Sequence, residues 1–222
     1  MPIDRCILLL GGSFDPVHVG HVGLARYFCT LLHPDELRLI PAGRPWQKPG
    51  LATPSEHRIA MLELAFADWM VPVYMDTQEI ERDGPSYAVD TLRIVRSTVG
   101  AMTSLIWVIG ADQLLNLHTW HQWRDLFSLA NLCIASRPGY GLSRDALDND
   151  VASEIVRRQA DPGQLRASAS GLCFIAPQLA LEVSSTALRA ALTHGQSQID
   201  PRGMLPRRVL DYIQHHHLYQ TD

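Results

Sequence analysis

The chain has 222 residues, of which 46% are hydrophobic and 19% are charged. A chain of this size and composition can bury a core without disulfides or a structural metal, which excludes a disordered or collagen-like protein. Its 19 basic and 23 acidic side chains give a net charge of −4. That balance argues against nucleic acid or an anionic membrane as a partner held by the overall field.

Apolar runs alternate with helical periodicity along most of the chain. Continuous apolar runs predict strands at 6–10, 37–40, 105–110, 132–135 and 172–176. Apolar spacings of three and four predict helices at 18–33, from Thr53 through Phe66, at 86–99, at 184–195 and at 205–218. The second of these helices has a start signature, with Thr53 as the capping residue, Pro54 at the first helical position and Glu56 three residues after the cap.

This alternation predicts an α/β fold with a doubly wound parallel sheet, in one domain spanning 1–222 with a C-terminal helical segment. Residues 141–170 are polar, with no apolar strand and only a weak helical stretch, and we interpret them as a surface excursion. Ligands of such sheets bind at the carboxyl ends of the strands, where the strand order reverses. Candidate site residues are therefore sought just after each strand.

The four cysteines, Cys6, Cys29, Cys133 and Cys173, show no Cys-x-x-Cys spacing, so the sequence carries no zinc or thioredoxin-like signal. Three of them lie in apolar runs, which predicts buried, reduced thiols. The first apolar run is too short to span a membrane, and no small-residue cleavage site follows it. We therefore expect a cytoplasmic protein without a metal site, and the run 215–217 of three histidines is given no metal role.

The first strand is followed by Gly11 and Gly12, and then by His18 and His21 at the predicted start of a helix. Glycines let the backbone approach a ligand closely, and a helix N-terminus attracts phosphate. The two histidines are three residues apart and share one helix face, so together they predict a phosphate-binding cluster. Surface polarity alone would not explain why both follow a glycine turn. The segment matches neither a Walker loop nor a G-x-G-x-x-G fingerprint.

Two further polar segments follow predicted strands. Asp112 comes just after Gly110 and could accept hydrogen bonds from ribose hydroxyls, or it could cap a helix over 113–117. Ser185 and Thr186 open a helix, and capping alone would account for their hydroxyls. Arg189 on the next turn favours a phosphate site.

Tryptophans and basic residues mark two other candidate regions. The Gly- and Pro-rich loop 42–50 carries Arg44 and Lys48, which could reach phosphate, and Trp46, for which packing and binding are equally supported. Trp120 and Trp123 are three residues apart, a spacing that on composition alone favours the core for both.

The run Gly-Gly-Ser-Phe-Asp-Pro-Val-His-Val-Gly-His at 11–21 resembles the N-terminal signature of nucleotidyltransferases with the His-x-Gly-His motif. It is similar to that of bacterial nicotinate-nucleotide adenylyltransferases and, more loosely, to that of phosphopantetheine adenylyltransferases. Segments at 86–92, 109–114, 119–120, 136–139, 183–189 and 218–219 agree with the first family in order and spacing. The resemblance covers nearly the whole chain outside 141–170, and it implies a Rossmann-like nucleotidyltransferase fold.

The resemblance implies transfer of AMP from ATP to nicotinate mononucleotide, with Mg²⁺ arriving with ATP. His18 and His21 would be catalytic. The ATP-binding residues would be Gly11, Gly12, Ser13, Phe14, Gly110, Asp112, Ser185, Thr186 and Arg189. The acceptor-binding residues would be Asp15, Lys48, Tyr87, Ala88, Trp120, His121 and Arg137. Trp120 would stack on the pyridine ring, and Trp123 would stay in the core.

One departure and two alternatives accompany this interpretation. The family usually shows Pro-His-Lys where this chain has Trp46-Gln47-Lys48, so only Lys48 matches the basic position. An adenylyltransferase or cytidylyltransferase with another phosphate acceptor is the nearest alternative. A nucleotide-binding regulatory module without turnover is a more distant one, and the presence of both histidines and Arg189 argues against it.

Overall fold

We analysed a computed structural model of the protein, which describes residues 2–46, 51–136, 146–176, 183–194 and 203–220. The described strands are β1 Arg5–Gly12, β2 Glu36–Pro41, β3 Val73–Met75, β4 Thr103–Gly110, β5 Asn131–Ala135 and β6 Cys173–Ala176. The described helices are α1 Val19–Leu32, α2 Ser55–Ala65, α3 Gln78–Glu81, α4 Ala88–Val99, α5 Ala111–Leu115, α6 Leu126–Leu129, α7 Asn149–Arg158, α8 Pro162–Arg166, α9 Ser185–His194 and α10 Arg207–His215. Two 3-10 turns lie at Leu117–Thr119 and Trp123–Asp125.

The strands form one parallel sheet in the order β3-β2-β1-β4-β5-β6. The chain runs outward from β1 through β2 to β3, then returns to the other side of β1 with β4. The order therefore reverses between β1 and β4, and a crevice opens at the carboxyl ends of these two strands. This arrangement confirms the predicted doubly wound α/β fold.

Both faces of the sheet are covered, because side chains alternate between faces along each strand. In β1, Cys6, Leu8 and Leu10 belong to one apolar core, and Ile7 and Leu9 belong to the other. The first core includes residues of α1, α2 and α10, and the second includes residues of α4, α6 and α7. The continuous apolar run of β1 reflects this burial on both sides.

Strand β3 and helices α3 and α6 were not predicted from the sequence. Strand β3 has three residues at one edge of the sheet, with Val73 and Tyr74 exposed, so it lacks the apolar run that marks a strand buried on both faces. The start of α2 also differs, because Pro54 holds the cap position and the helix begins at Ser55, one residue later than the Thr53 signature predicts.

The interpretation of 141–170 as a polar excursion with only a weak helical stretch needs correction in its described part. Residues 146–170 contain α7 and α8, each capped by an aspartate, Asp148 and Asp161. Helix α7 buries Val151 and Ile155 in the core, and α8 buries Leu165. Both helices are short, and their few hydrophobic residues, four in α7 and only Leu165 in α8, stand among polar and charged ones in the sequence.

All four cysteines are buried free thiols, as predicted. Among the described residues, no helix combines the length and the apolar character needed to cross a membrane.

Candidate active site

The turn that joins β1 to α1 forms the floor of the candidate site. Gly11 and Gly12 end β1 and pair with Ile40 and Pro41 of β2. Phe14 adopts a left-handed backbone with φ 47° and buries its ring completely. The backbone of the turn therefore lies at the crevice, and the buried Phe14 ring holds the turn against the core.

His18 and His21 lie side by side at the start of α1. His18 is the cap residue and is buried, and the two rings stack with their centroids 3.8 Å apart. The backbone N–H of His18 donates to Nδ1 of His21 at 3.3 Å. Nδ1 of His21 is therefore an acceptor, so a neutral His21 ring carries its proton on Nε2, where it is a hydrogen-bond donor.

Gly20 leaves space for this pair. A Cβ atom at position 20 would lie 2.9 Å from Nδ1 of His18, closer than such contacts normally occur. The glycine of the His-x-Gly-His run is thus required by the close approach of the His18 ring.

The start of α9 docks on the same turn. Ser185 Oγ donates to the Pro16 carbonyl at 3.1 Å, and Nη1 of Arg189 donates to the Asp15 carbonyl at 2.5 Å. Nη2 of Arg189 also lies 3.4 Å from Oγ1 of Thr186. The fold therefore brings the two predicted phosphate-binding segments together, although 164 residues separate His21 from Ser185.

Gly110 and Asp112 lie at the end of β4, beside the end of β1. Gly110 is the cap residue of α5, and Asp112 is in the first turn of that helix. The capping alternative for Asp112 is therefore wrong. Its Oδ2 accepts from Gln113 Nε2 at 3.1 Å, and the half-buried carboxylate stands at the mouth of the crevice, where ribose hydroxyls could donate to it.

A family model described as cytidylyltransferase-like matches residues 9–191. A protein of Herminiimonas arsenicoxydans named "Probable nicotinate-nucleotide adenylyltransferase" is 49% identical over 219 residues, covering 99% of each chain. A relative of the same name from Dechloromonas aromatica is 38% identical over 214 residues, covering 96% of this chain and 97% of its own. The chain belongs to the nicotinate-nucleotide adenylyltransferase family.

Solved structures agree on the fold. A Plasmodium falciparum nicotinic acid mononucleotide adenylyltransferase complexed with NaAD is 18% identical, with a TM-score of 0.73 and 97% of each chain covered. A second structure of that enzyme, complexed with APC, gives a TM-score of 0.71 at 17% identity. At 17–18% sequence identity, the similarity to these two structures supports only the fold of this chain.

Several aromatic side chains lie close together near the start of α4, among the residues predicted to contact the acceptor. Tyr87 caps α4, and its ring stacks on His121 with centroids 4.6 Å apart. Trp120 is partly buried against the core, and its Nε1 has no hydrogen-bond partner among the described residues. Trp46 is 41% exposed, and its ring centroid lies 6.3 Å from that of Tyr87. Trp123 is in the core as predicted.

The start of α4 presents backbone donors beside these rings. Ala88 is its first residue, so its N–H has no acceptor within the helix. Ser86 Oγ accepts from the N–H groups of Gly43 and Arg44 at 3.2 and 3.1 Å, which joins α4 to the loop after β2. A Cβ atom at Gly43 would lie 1.9 Å from the Glu79 carbonyl oxygen, so this loop and α3 pack too closely for any other residue.

Two predicted acceptor residues, Lys48 and Arg137, lie outside the described residues. A third, Asp15, is only 1% exposed. Its Oδ1 accepts from the Tyr219 hydroxyl at 2.7 Å and its Oδ2 from the Ala52 N–H at 2.8 Å. Both carboxylate oxygens of Asp15 therefore already have donors within the chain.

Arg58 was not predicted from the sequence, and Tyr219, although it lies in the family-like segment 218–219, was given no role. Arg58 is 2% exposed on α2 and donates from Nη1 to the Ser13 carbonyl at 2.8 Å. Burial lowers the pKa of Arg58, and the nearby Asp15 carboxylate opposes that shift. Arg58 also lines an open cavity of about 700 Å³ with Arg44 and Trp46. An arginine beside Ile59 in an amphipathic helix looks like a solvent-facing residue, so its periodicity gave no signal of this role.

Proposed function

We propose that the chain carries out the reaction of the family to which it belongs, transferring AMP from ATP to nicotinate mononucleotide to give deamido-NAD and pyrophosphate. The observation that carries the proposal is the convergence of the stacked His18–His21 pair and the α9 start, with Arg189, on one turn at the end of β1. Convergent donors at this position suit a polyphosphate.

The attacking group is the phosphate of the acceptor itself. Its second pKa is about 6, so it is largely dianionic at neutral pH and needs no general base. Its oxygen forms a bond to the α-phosphorus of ATP as the bond from that phosphorus to the bridging oxygen breaks, and the electron pair leaves with pyrophosphate. Catalysis then depends on positioning and on neutralising the charge that develops on the leaving group.

His21 is suited to donate to that leaving group, because its Nδ1 accepts from the His18 backbone and its Nε2 is the donor in a neutral ring. His18 would hold the ATP phosphates beside it. Arg189 uses Nη1 for the Asp15 carbonyl, and a guanidinium has five N–H donors in total. It could therefore hold the turn and the β- and γ-phosphates at once, together with Ser185 and Thr186.

We infer that a divalent cation, Mg²⁺, enters as part of the MgATP substrate. Among the residues that the structure describes, no group of three or more His, Cys, Asp or Glu side chains could hold a metal ion. In that arrangement the ATP phosphates hold the cation, and the residues of the chain orient the nucleotide. We also infer a cytoplasmic location from the four free, buried thiols.

On the acceptor side, the Tyr87–His121 stack and Trp120 support binding of a flat aromatic ring, and the start of α4 at Ala88 supports binding of an anion. These features favour nicotinate mononucleotide over an acceptor without a ring. Release of pyrophosphate on mixing the protein with MgATP and nicotinate mononucleotide tests the proposal. If pyrophosphate is released only with phosphopantetheine or another phosphate, the proposed acceptor is wrong. If ATP binds and no pyrophosphate is released, the protein is a regulatory module.

A further inference from the structure

Tyr219 connects the C-terminal segment to the turn that carries the histidine pair. The segment after α10 reverses direction at His217, which has a left-handed backbone with φ 52°, and the N–H of Leu218 donates to the Ile213 carbonyl at 3.0 Å. This is the geometry of a Schellman-type helix end. The reversal aims Tyr219 back at the body of the protein instead of into solvent.

Tyr219 is held at both ends. Its carbonyl oxygen accepts from Thr193 Oγ1 on α9 at 2.9 Å, and its hydroxyl donates to Oδ1 of Asp15 at 2.7 Å. Its own backbone is left-handed, with φ 63°, a conformation that a bulky residue rarely adopts without support from its surroundings. Burial raises the pKa of Tyr219, a hydrogen bond with Thr53 and the charge of Arg189 oppose that shift, and the hydrogen bond and charge of Asp15 add to it. The phenol therefore stays protonated and remains a donor to the carboxylate.

Asp15 links three parts of the chain. Its side chain accepts from Tyr219 and from the N–H of Ala52, which precedes α2, and its backbone carbonyl accepts from Arg189 of α9. The neighbouring carbonyls of the turn are held in the same way, that of Ser13 by Arg58 and that of Pro16 by Ser185. These carbonyls are satisfied by side chains from other elements, since the turn has no regular secondary structure of its own.

We propose that Tyr219 is a positioning residue for adenylyl transfer: its hydroxyl fixes the Asp15 carboxylate, and Asp15 fixes the turn that carries His18 and His21. This inference rests on the proposed function. It also gives Asp15 a different role from the acceptor contact implied by the family resemblance. The carboxylate is buried and already accepts from two groups of the chain, so it orients the site without touching substrate.

The test is Tyr219→Phe, which removes one oxygen atom and keeps the ring that packs against the core. Tyr212→Phe is the matched control, because the Tyr212 hydroxyl also belongs to the C-terminal segment but contacts His57 at 2.9 Å and not the turn. We expect Tyr219→Phe to lower kcat by about tenfold, since small displacements of catalytic groups cost this much or more. The KM values for ATP and for the acceptor should stay within about threefold. Tyr212→Phe should keep wild-type kcat.

Asp15→Asn distinguishes a specific effect of the Tyr219–Asp15 hydrogen bond from a general loss of rigidity in the C-terminal segment. The carbonyl of the new carboxamide can accept from the Ala52 N–H, and its NH₂ can donate to the Tyr219 hydroxyl, which then accepts. With Tyr219→Phe also present, a neutral NH₂ loses its partner, which costs less than the buried carboxylate oxygen that Tyr219→Phe leaves without its donor in the wild-type background. We therefore expect kcat of the double variant to lie at least about threefold above the product of the two single effects. Multiplicative effects would overturn the proposed path through Asp15.

Amide hydrogen exchange provides a readout independent of turnover. In Tyr219→Phe the N–H of Ala52 should exchange about tenfold faster than in Tyr212→Phe. Its acceptor, the Asp15 carboxylate, has then lost the hydrogen bond from the Tyr219 hydroxyl and is held less firmly. Equal exchange would overturn the anchoring role even if the acceptor proves to be another phosphate. A kcat within twofold of the control, or a loss that disappears at a temperature where both variants are fully folded, would overturn the positioning role. Failure of the wild type to use nicotinate mononucleotide would instead refute the proposed function.

Discussion

The tautomer of His21 is set by a backbone contact. The N–H of His18 donates to Nδ1 of His21, so the donor of the neutral ring is Nε2. The His18 and His21 rings stack with their centroids 3.8 Å apart, so the two side chains present their nitrogens from one side of the turn. In the proposed reaction, this Nε2 donor would face the leaving pyrophosphate.

Replacing His21 by alanine should lower kcat by about 10²–10³-fold, because a donor that acts mainly in the transition state is lost. The KM for nicotinate mononucleotide should change little. Steady-state kinetics on the folded variant measure both, with His215→Ala at the exposed end of α10 as the control. A kcat within a few-fold of wild type would contradict the assigned role.

Arg189→Ala should weaken ATP binding by about ten- to a hundredfold, since a charge-assisted bond to phosphate contributes roughly 1.5–3 kcal/mol. Arg189→Lys should recover only part, because an ammonium cannot reach both the Asp15 carbonyl and a phosphate with a planar fork. Calorimetry of ATP binding checks this, with Arg157→Ala on the exposed side of α7 as the control. Unchanged ATP affinity in Arg189→Ala would mean that the residue only holds the turn.

At the scale of elements, the start of α1 depends on the absence of a side chain at position 20. Alanine in a helix is normally more stable than glycine by roughly 0.5–1 kcal/mol. In Gly20→Ala, however, the new Cβ would meet the His18 ring and displace it. We expect kcat to fall about tenfold or more while the melting temperature changes little. Gly163→Ala in α8 should leave kcat unchanged, and an equally active Gly20→Ala protein would refute the steric argument.

The start of α4 should select the acid form of the acceptor over the amide. We expect the carboxylate to accept from backbone N–H groups near Ala88 and near His121. The amide has only one oxygen, so its NH₂ would face one of these N–H donors, which cannot accept. An unpaired polar contact of this kind costs roughly 1–3 kcal/mol, which corresponds to about ten- to a hundredfold in kcat/KM. Comparing kcat/KM for the two mononucleotides under the same MgATP concentration measures it. Equal values would overturn the substrate preference and leave the transfer mechanism intact.

At the scale of the whole molecule, the sheet buries its thiols between two apolar layers. Burial raises the pKa of Cys6 and of Cys173 to about 11, and it raises the pKa of Cys133 further. The unfolded chain loses these protons near pH 9, whereas the folded chain keeps them. The stabilisation is therefore complete below pH 9 and is lost as the pH rises through 11.

The free energy of unfolding should accordingly fall between pH 9 and pH 11, by at most about 1.4 kcal/mol per pH unit for each thiol. Denaturant unfolding at pH 8 and pH 10.5 measures the fall. Cys173→Ala, which removes one of the titrating thiols, should show a smaller fall than the wild type. A free energy of unfolding that does not change over this range would contradict the burial argument.

The sequence by itself determined the α/β class and the strands with continuous apolar runs. It also determined which segments carry the residues proposed to bind phosphate. Buried parallel strands leave an apolar run, and helix starts leave capping and glycine patterns, so both are local signals. Strand β3 was not predicted, and helices α7 and α8 were interpreted as a polar excursion. An exposed edge strand and short helices with few hydrophobic residues give only weak local signals in the sequence.

Only the tertiary structure decided what surrounds the turn after β1. Arg58 and Tyr219 lie 45 and 204 residues away in sequence from the groups they hold. Arg58 shows no local pattern of its role, and the family-like segment 218–219 does not indicate which group Tyr219 contacts. Asp15, for which the family resemblance implies an acceptor contact, is buried and hydrogen-bonded to three distant segments, a set of contacts that its sequence position does not indicate. Hydrogen bonds between distant segments form only when the helices and the sheet pack together. The spacing of residues along the chain therefore does not predict them.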